Sequence, residues 1–313
     1  MTSERLHPDK RRPSWRDRLE FAAVWLLVTA LGALPRRIAR AVGAAIGWIA
    51  FVALGRLRGV GVTNLRLAYP EWSEQQRERT LREVYRNLGY LLSEFCLMDG
   101  YRAEEAGEFI RYEGLDHFLA AQATGKGVLV LTGHLGAWEL SSFYHSLVGY
   151  PMGLVIRRLD NPLVDEFVNR LRCLHGNRVI HKDDFARGLI SAMRAGETVG
   201  ILMDTNMTPP QGLFVPFFGS EACTASGLAK VALKTGAAVL PGFLVRDGES
   251  SRYVLRFGEQ MELTRTGDFT ADVAENTARF TATIEQYIRQ TPEQWLWMHR
   301  RWKTRPPGEA GVY

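Results

Sequence analysis

Short runs of aliphatic and β-branched residues alternate with helical stretches from Gly127 onward, and this alternation most limits the possible folds. The extended runs are GVLVLT, MGLVIR, TVGILMD, AVLPGFLV and YVLRF. Between them lie stretches whose apolar residues recur at helical spacing, such as PLVDEFVNRLRCLH and ASGLAKVALKTG. This alternation is typical of α/β folds, in which helices flank a mostly parallel sheet. We therefore predict one α/β domain over residues 57–313.

Two uncharged apolar runs, residues 21–34 and 41–55, precede this domain and follow a polar, basic tail of residues 1–18. At 1.5 Å per residue, each run reaches only about 21–23 Å as a helix, short of the roughly 30 Å hydrocarbon core of a bilayer. A cleaved signal peptide and a buried helical hairpin are two interpretations. The basic flanks favour a third, a retained helical membrane anchor over residues 19–56 that lies in one leaflet or crosses at a tilt.

The formal net charge of +5 suits a membrane surface, an acidic substrate or carrier protein, or nucleic acid. Three distant cysteines, Cys96, Cys173 and Cys223, argue against a disulfide framework and a structural zinc site, so we expect no metal. The terminal WLWMHRRWKTRP interleaves basic residues with tryptophans, as membrane interfaces and single-strand nucleic-acid binders both do. Given the apolar N-terminus, we predict a membrane contact and no nucleic-acid partner.

The segment TGHLGAWEL is the best candidate for chemistry, because His134 follows an extended run and Glu139 lies five residues on. Positions five apart on a regular helix differ by about 140°. The two side chains therefore meet only if His134 precedes the helix, where Gly133 and Gly136 let the backbone turn. Such a pair is a general base with an acidic partner. A loop histidine and a surface glutamate without a catalytic role give the same spacing. Backbone N–H groups of residues 133–136 are candidates for stabilising an oxyanion.

The TGHLGAWEL motif is one of six characteristic segments that follow one another between residues 61 and 305. They are NLRLAYPE, TGHLGAWEL, RRLDNPLVDEFVNRLR, GILMDTN, GLFVPFFGSEACTASGLAKVALKTGAAVLP and WMHRRWKTRP. Together they resemble the lipid A biosynthesis branch (lauroyl/myristoyl-type secondary acyltransferases) of the glycerolipid acyltransferase superfamily, which carries an H-x4-D/E motif. The resemblance implies that superfamily's fold, without metal or cofactor. It also implies acyl transfer from an acyl carrier protein or CoA thioester to a hydroxyl of an anionic membrane glycolipid, on the cytoplasmic side of the bacterial inner membrane.

The resemblance also suggests roles for single residues. It implies His134 as the general base and Glu139 as its acidic partner. The candidates for substrate binding, from the matched segments and the basic terminal cluster, are Arg157, Asn161, Asp204, Arg300 and Arg301. The candidates for lining an acyl tunnel are Val215, Phe217 and Phe218. The alternatives are the same chemistry on another lipid, such as a lysophospholipid or a phosphatidylinositol mannoside, and a membrane-binding protein that keeps the fold without catalysis.

Overall fold

The computed structural model describes residues 12–181 and 185–313, so most of the predicted polar tail lies outside the described residues. The first third of the chain is helical. Its helices are α1 (Trp15–Gly32), α2 (Arg36–Ala53), α3 (Gly55–Ala68), α4 (Glu74–Leu97) and α5 (Ala103–Gly107). Helix α1 begins inside the stretch predicted as a tail, because the Ser14 hydroxyl caps it by accepting a hydrogen bond from the Asp17 N–H.

The predicted α/β fold with a mostly parallel sheet is confirmed. The strands are β1 (Ile110–Glu113), β2 (Val128–Thr132), β3 (Gly153–Ile156), β4 (Arg178–His181), β5 (Thr198–Leu202), β6 (Gly212–Phe217), β7 (Ser220–Ala225), β8 (Ala238–Arg246) and β9 (Tyr253–Phe257). Seven of those described form one sheet in the order β1-β9-β8-β2-β5-β3-β4. Its neighbours pair in parallel except β8 with β9. Strands β6 and β7 form a separate antiparallel hairpin.

Helices cover both faces of this sheet. They are α6 (Leu115–Ala123), α7 (Trp138–Leu147), α8 (Pro162–Arg172), α9 (Phe185–Arg194), α10 (Gly227–Thr235) and α11 (Phe269–Gln290). Side chains alternate along a strand, so β2 serves two cores: Leu129 and Leu131 pack in one, Val128 and Val130 in the other. Burial on both faces explains why β2 is continuously apolar rather than alternating with polar residues.

The predicted membrane anchor corresponds to α1 and α2. In the described part of the chain, no single helix is long and apolar enough to cross a membrane; α2 and α3 together meet the length and composition requirement but are bent by 86°. Both α1 and α2 leave large apolar side chains exposed, namely Leu19, Trp25, Leu26, Ile38, Trp48, Ile49 and Val52. The anchor stays a prediction.

A buried carboxylate fixes α2 on the rest of the protein. Glu94 in α4 is fully buried and accepts hydrogen bonds from Arg36 and Arg40 of α2, with N–O distances of 2.7 and 2.5 Å. The hydroxyls of Tyr101 and Tyr253 also donate to it. Because Tyr253 begins β9, this one charge joins the N-terminal helices to the sheet.

We expect Glu94→Gln to destabilise the protein by about 3–5 kcal/mol, because it leaves two largely buried guanidinium groups without a counter-charge. Glu78→Gln is the matched control, since Glu78 pairs with Arg82 on the exposed face of the same helix and exposed pairs contribute about 0–1 kcal/mol. Denaturant unfolding of the purified chain measures both. Equal stability losses in the two variants would contradict the conclusion that Glu94 is the buried counter-charge of Arg36 and Arg40.

Candidate active site

The carboxyl ends of β2 and β5 bring His134 and Asp204 together. The strands are parallel neighbours, paired up to Thr132 and Leu202, and each of the two residues lies two positions beyond that last pair. His134 Nδ1 lies 2.9 Å from Asp204 Oδ1. Helix α7 begins only at Trp138, so His134 precedes the helix as the sequence predicts. Carboxyl ends of strands are where open parallel sheets place their ligand sites.

The Asp204 carboxylate faces hydrogen-bond donors. Besides the His134 ring, the His134 backbone N–H and the Trp295 indole N–H donate to its Oδ2, at 2.7 and 2.8 Å. Burial would raise the pKa of this carboxyl, but the His134 charge and these hydrogen bonds hold the pKa well below its usual range. Asp204 is therefore ionised at neutral pH, and His134 carries its proton on Nδ1 when neutral.

The second ring nitrogen of His134 is left for a substrate. Among the described residues none is within hydrogen-bonding distance of Nε2, and a quarter of the side-chain surface is exposed. Burial lowers the pKa of His134, whereas the Asp204 charge, its hydrogen bond and the Glu139 charge raise it, and the net pKa lies above 6.5. An imidazole with an engaged Nδ1–H and an open Nε2 is arranged to accept a proton at Nε2.

Glu139 is not the hydrogen-bonded partner of His134, which corrects the sequence prediction. Its carboxylate takes a bidentate pair from Arg172 of α8, with N–O distances of 2.8 and 2.5 Å. The residue still lies close enough for its charge to raise the His134 pKa. The carboxylate on Nδ1 comes instead from the neighbouring strand, a partner that local spacing cannot reveal.

The loop between β2 and α7 requires its glycines. Gly136 has φ +67°, and a Cβ there would stand 2.0 Å from the Leu244 carbonyl oxygen. Two of the predicted oxyanion donors already have acceptors within the protein. The N–H of His134 donates to Asp204, and the N–H of Gly136 donates to the Gln294 carbonyl. An oxyanion at this site therefore needs other donors than these two.

Two predicted substrate-binding residues lie beyond the end of β3. Arg157 is three-quarters exposed and forms a surface ion pair with Asp160. Asn161 is buried: its side-chain oxygen caps α8, and its amide donates to the Asp17 carbonyl and the Glu20 carboxylate of α1. The hydrogen-bonding groups of Asn161 are thus used within the protein, which corrects its assignment as a substrate ligand.

The terminal cluster of tryptophans and basic residues divides between core and surface. Trp295, Trp297 and Trp302 are at most 1% exposed and pack in the core, which corrects their prediction as a membrane interface. Arg301 is also fully buried and donates to the carbonyls of Thr205 and Cys223 and to the Thr224 hydroxyl. It braces the chain after Asp204, so in this structure its guanidinium group binds acceptors of the protein itself. Its neighbour Arg300 is partly exposed.

The predicted acyl-tunnel residues lie in the core beside these tryptophans. Val215, Phe217 and Phe218 are 1–5% exposed. Phe217 packs against Trp295 and Trp302, with ring centroids 5.7 and 5.5 Å apart. In this conformation these side chains are part of the packed core, and their assignment to a tunnel wall stays a prediction.

Three residues of the site went unpredicted. Trp295 holds Asp204, Arg172 holds Glu139, and His299 accepts a hydrogen bond from the Asn206 N–H at 2.9 Å. Arg172 and His299 lie in the family-like segments RRLDNPLVDEFVNRLR and WMHRRWKTRP, but their positions alone indicate no partner.

Comparisons with known proteins show similarity over nearly the whole chain. A family model described as "Bacterial lipid A biosynthesis acyltransferase" matches residues 11–304. The lipid A biosynthesis palmitoleoyltransferase of Escherichia coli (strain K12) is 30% identical over 99% of this chain and 97% of its own. The lauroyltransferase of the same organism is 29% identical over 96% and 95%. Its myristoyltransferase is 25% identical over 92% and 89%.

We expect Arg301→Gln to lower the free energy of unfolding by about 1–3 kcal/mol or more, because buried acceptors lose their donor. Arg300→Gln, at the partly exposed neighbouring position, is expected to change it by less than about 0.5 kcal/mol. Thermal and denaturant unfolding of both variants measures the difference. Wild-type stability in Arg301→Gln would return this residue to the substrate-binding candidates.

Proposed function

The chain belongs to the bacterial lipid A biosynthesis acyltransferases, and on this premise we propose which reaction its site performs. The enzyme transfers a fatty acyl chain from an acyl carrier protein or CoA thioester to a hydroxyl of a lipid A precursor. It acts on the cytoplasmic side of the bacterial inner membrane. The observation that carries the proposal is the His134–Asp204 pair at the strand ends, with Nε2 of His134 open.

His134 is the general base in this reaction. Its Nε2 removes the proton from the acceptor hydroxyl while the oxygen attacks the thioester carbonyl carbon. Asp204 holds the Nδ1–H and stabilises the imidazolium that forms. The tetrahedral intermediate then collapses by breaking the C–S bond, and the departing thiolate takes the proton from Nε2. The acceptor hydroxyl supplies the nucleophile, so the reaction needs no nucleophilic side chain of the enzyme.

Glu139 supports the same step through its charge. The carboxylate raises the pKa of His134 and so favours the imidazolium, while the bidentate pair with Arg172 keeps it in place. Arg157, exposed just past the end of β3, is a remaining candidate for binding an anionic substrate from the same edge of the sheet.

The exposed apolar faces of α1 and α2 attach the enzyme to the cytoplasmic leaflet. Trp25 and Leu26 on α1 and Trp48 and Ile49 on α2 are each at least 48% exposed, whereas the opposite side of α2 packs on α4. Helices of this kind bury an apolar face at the membrane surface. An acceptor lipid then reaches His134 without leaving the bilayer entirely.

His134→Ala and Asp204→Asn are each expected to reduce acyl transfer by about 10²- to 10⁴-fold. Asparagine cannot replace Asp204, because one of the two carboxylate oxygens becomes an NH₂ group. That NH₂ must then point at one of the groups that donate a hydrogen bond to Asp204. If the NH₂ faces the His134 ring, Nδ1 must accept its hydrogen bond. The neutral ring then carries its proton on Nε2, and Nε2 can no longer act as the base. Transfer from acyl carrier protein thioester to purified lipid A precursor measures the effect, with Asp116→Asn, an exposed carboxylate of α6, as the control.

The same variants test the acceptor in cells. Lipid A from a strain lacking this gene is expected to lack one acyl chain by mass spectrometry. The wild-type gene restores the chain, and the His134→Ala gene does not. Unchanged lipid A together with an altered phospholipid or other glycolipid would contradict the proposed acceptor, and full restoration by His134→Ala would contradict the mechanism.

The pH dependence of kcat/KM follows from the raised pKa of His134. Protonated imidazole cannot act as a base, so kcat/KM is expected to rise with pH through one ionisation whose pKa lies above 6.5. Glu139→Gln removes one of the charges that raise this pKa, so its profile shifts to lower pH. A profile that is unchanged in Glu139→Gln would show that Glu139 exerts no such charge effect.

A further inference from the structure

A pocket of about 540 Å³ lies near the His134–Asp204 pair, and the reaction proposed above does not use it. It is lined by Arg56 and Leu57 at the start of α3 and by Arg300 and Lys303 of the terminal segment. Its lining also includes Asn206, two residues beyond Asp204, and His299, whose pKa responds to the charges of Asp204 and His134. We call this feature the basic pocket.

The charge of the basic pocket is unbalanced. Three cationic side chains line it, and none of the described lining residues carries a carboxylate. Arg56, Arg300 and Lys303 form no ion pair with a described residue, whereas the nearby Arg66, Arg77 and Arg305 each pair with a glutamate. Cations gathered in a concave site repel one another and concentrate an anion there.

A neutral hydrogen-bond donor adds to this charge. His299 lines the pocket, and its Nε2 accepts from the Asn206 N–H, so its proton sits on Nδ1. Burial lowers the pKa of His299 to about 4, which keeps the ring neutral at pH 7. The Asn206 side chain exchanges hydrogen bonds with Thr304 and thereby fixes this wall. The lining of the pocket therefore includes one neutral N–H donor beside three cationic side chains.

The rim of the pocket is apolar on one side. Leu57 is 43% exposed and Leu54, just before it, is 44% exposed. Leu57 lines the pocket, and Leu54 lies between it and the end of α2. A ligand in the pocket thus places its anionic group against the cations and its apolar part against these leucines.

We infer that the basic pocket is a phosphate-binding subsite, in which Arg56, Arg300 and Lys303 hold a phosphate group of a substrate while His134 reacts with that substrate. The inference rests on the proposed acyl transfer. Both of its substrates offer the same chemistry, because a lipid A precursor carries phosphate on its sugars and the donor carries it on the phosphopantetheine arm. Guanidinium groups bind phosphate through charge-assisted, often bidentate hydrogen bonds.

The test compares two double variants of the full-length enzyme in detergent. Arg56→Gln/Lys303→Gln removes two charges from the basic pocket. Lys126→Gln/Lys234→Gln removes two from a pocket of similar volume, about 530 Å³, near the starts of β2 and β8 at the opposite edge of the sheet. We expect the first to raise the KM for a phosphate-carrying substrate at least tenfold with little change in kcat, and the second to change it less than twofold.

Two further arms identify which phosphate is bound. The acceptor is used with and without its phosphates, and the donor is used as acyl-phosphopantetheine or acyl-pantetheine. If the pocket binds the acceptor, the difference between wild type and Arg56→Gln/Lys303→Gln disappears with the dephosphorylated acceptor. If it binds the donor, the difference disappears with acyl-pantetheine. A difference that persists in every arm, or none at all, overturns the inference.

Equilibrium binding separates this inference from the proposed function. In a His134→Ala background, binding of the phosphorylated glycolipid, its dephosphorylated form and CoA is measured with and without the two pocket substitutions. Weaker binding confined to a phosphorylated ligand supports the subsite even if the wild-type enzyme transfers no acyl chain. Equal binding overturns the subsite even if acyl transfer is observed.

Discussion

The buried carboxylate of Asp204 is the interaction on which the rest of this site depends. It lies beyond a strand end, faces three donors and fixes one proton on His134 Nδ1. Three parts of the chain that are distant in sequence meet around it. Strands β2 and β5 supply the two residues in register, and the terminal segment supplies the Trp295 indole. The same segment packs on the loop that carries His134, because Leu296 N–H donates to the His134 carbonyl and Gly136 N–H to the Gln294 carbonyl. The terminal segment is therefore part of the framework that holds His134.

In the proposed function, the N-terminal helices connect that framework to a lipid surface. Glu94 fixes α2 on α4 and β9, so the exposed apolar face of α2 has a defined position relative to the sheet. Helix α3 begins at the basic pocket, which Arg56 lines together with Arg300 and Lys303. In the proposed function, an amphiphilic substrate contacts the apolar surface and the cations while its reacting group lies at His134. This arrangement suits an enzyme whose acceptor is a phosphorylated lipid.

Much of the sheet and the position of His134 could be predicted from the sequence. The five extended runs became β2, β3, β5, β8 and β9, because central strands buried on both faces are continuously apolar. The edge strands β1 and β4 have four residues each and partly exposed patterns, so no run marked them. The position of His134 followed from its spacing to Glu139, but its partner did not. Asp204 meets His134 through strand register, and the burial of Trp295 and Arg301 depends on packing that an aromatic, basic composition does not reveal.

The tautomer of His134 tests the central claim most directly. It is read from the ring nitrogen shifts of the full-length protein labelled with ¹⁵N-histidine, on the high-pH plateau of their titration, where the ring is neutral. Absence of the signals in His134→Ala assigns them. The account predicts that neutral His134 carries its proton on Nδ1, and that Asp204→Asn shifts that proton to Nε2. A wild-type ring protonated on Nε2 would contradict the account, because Asp204 would then not orient the base.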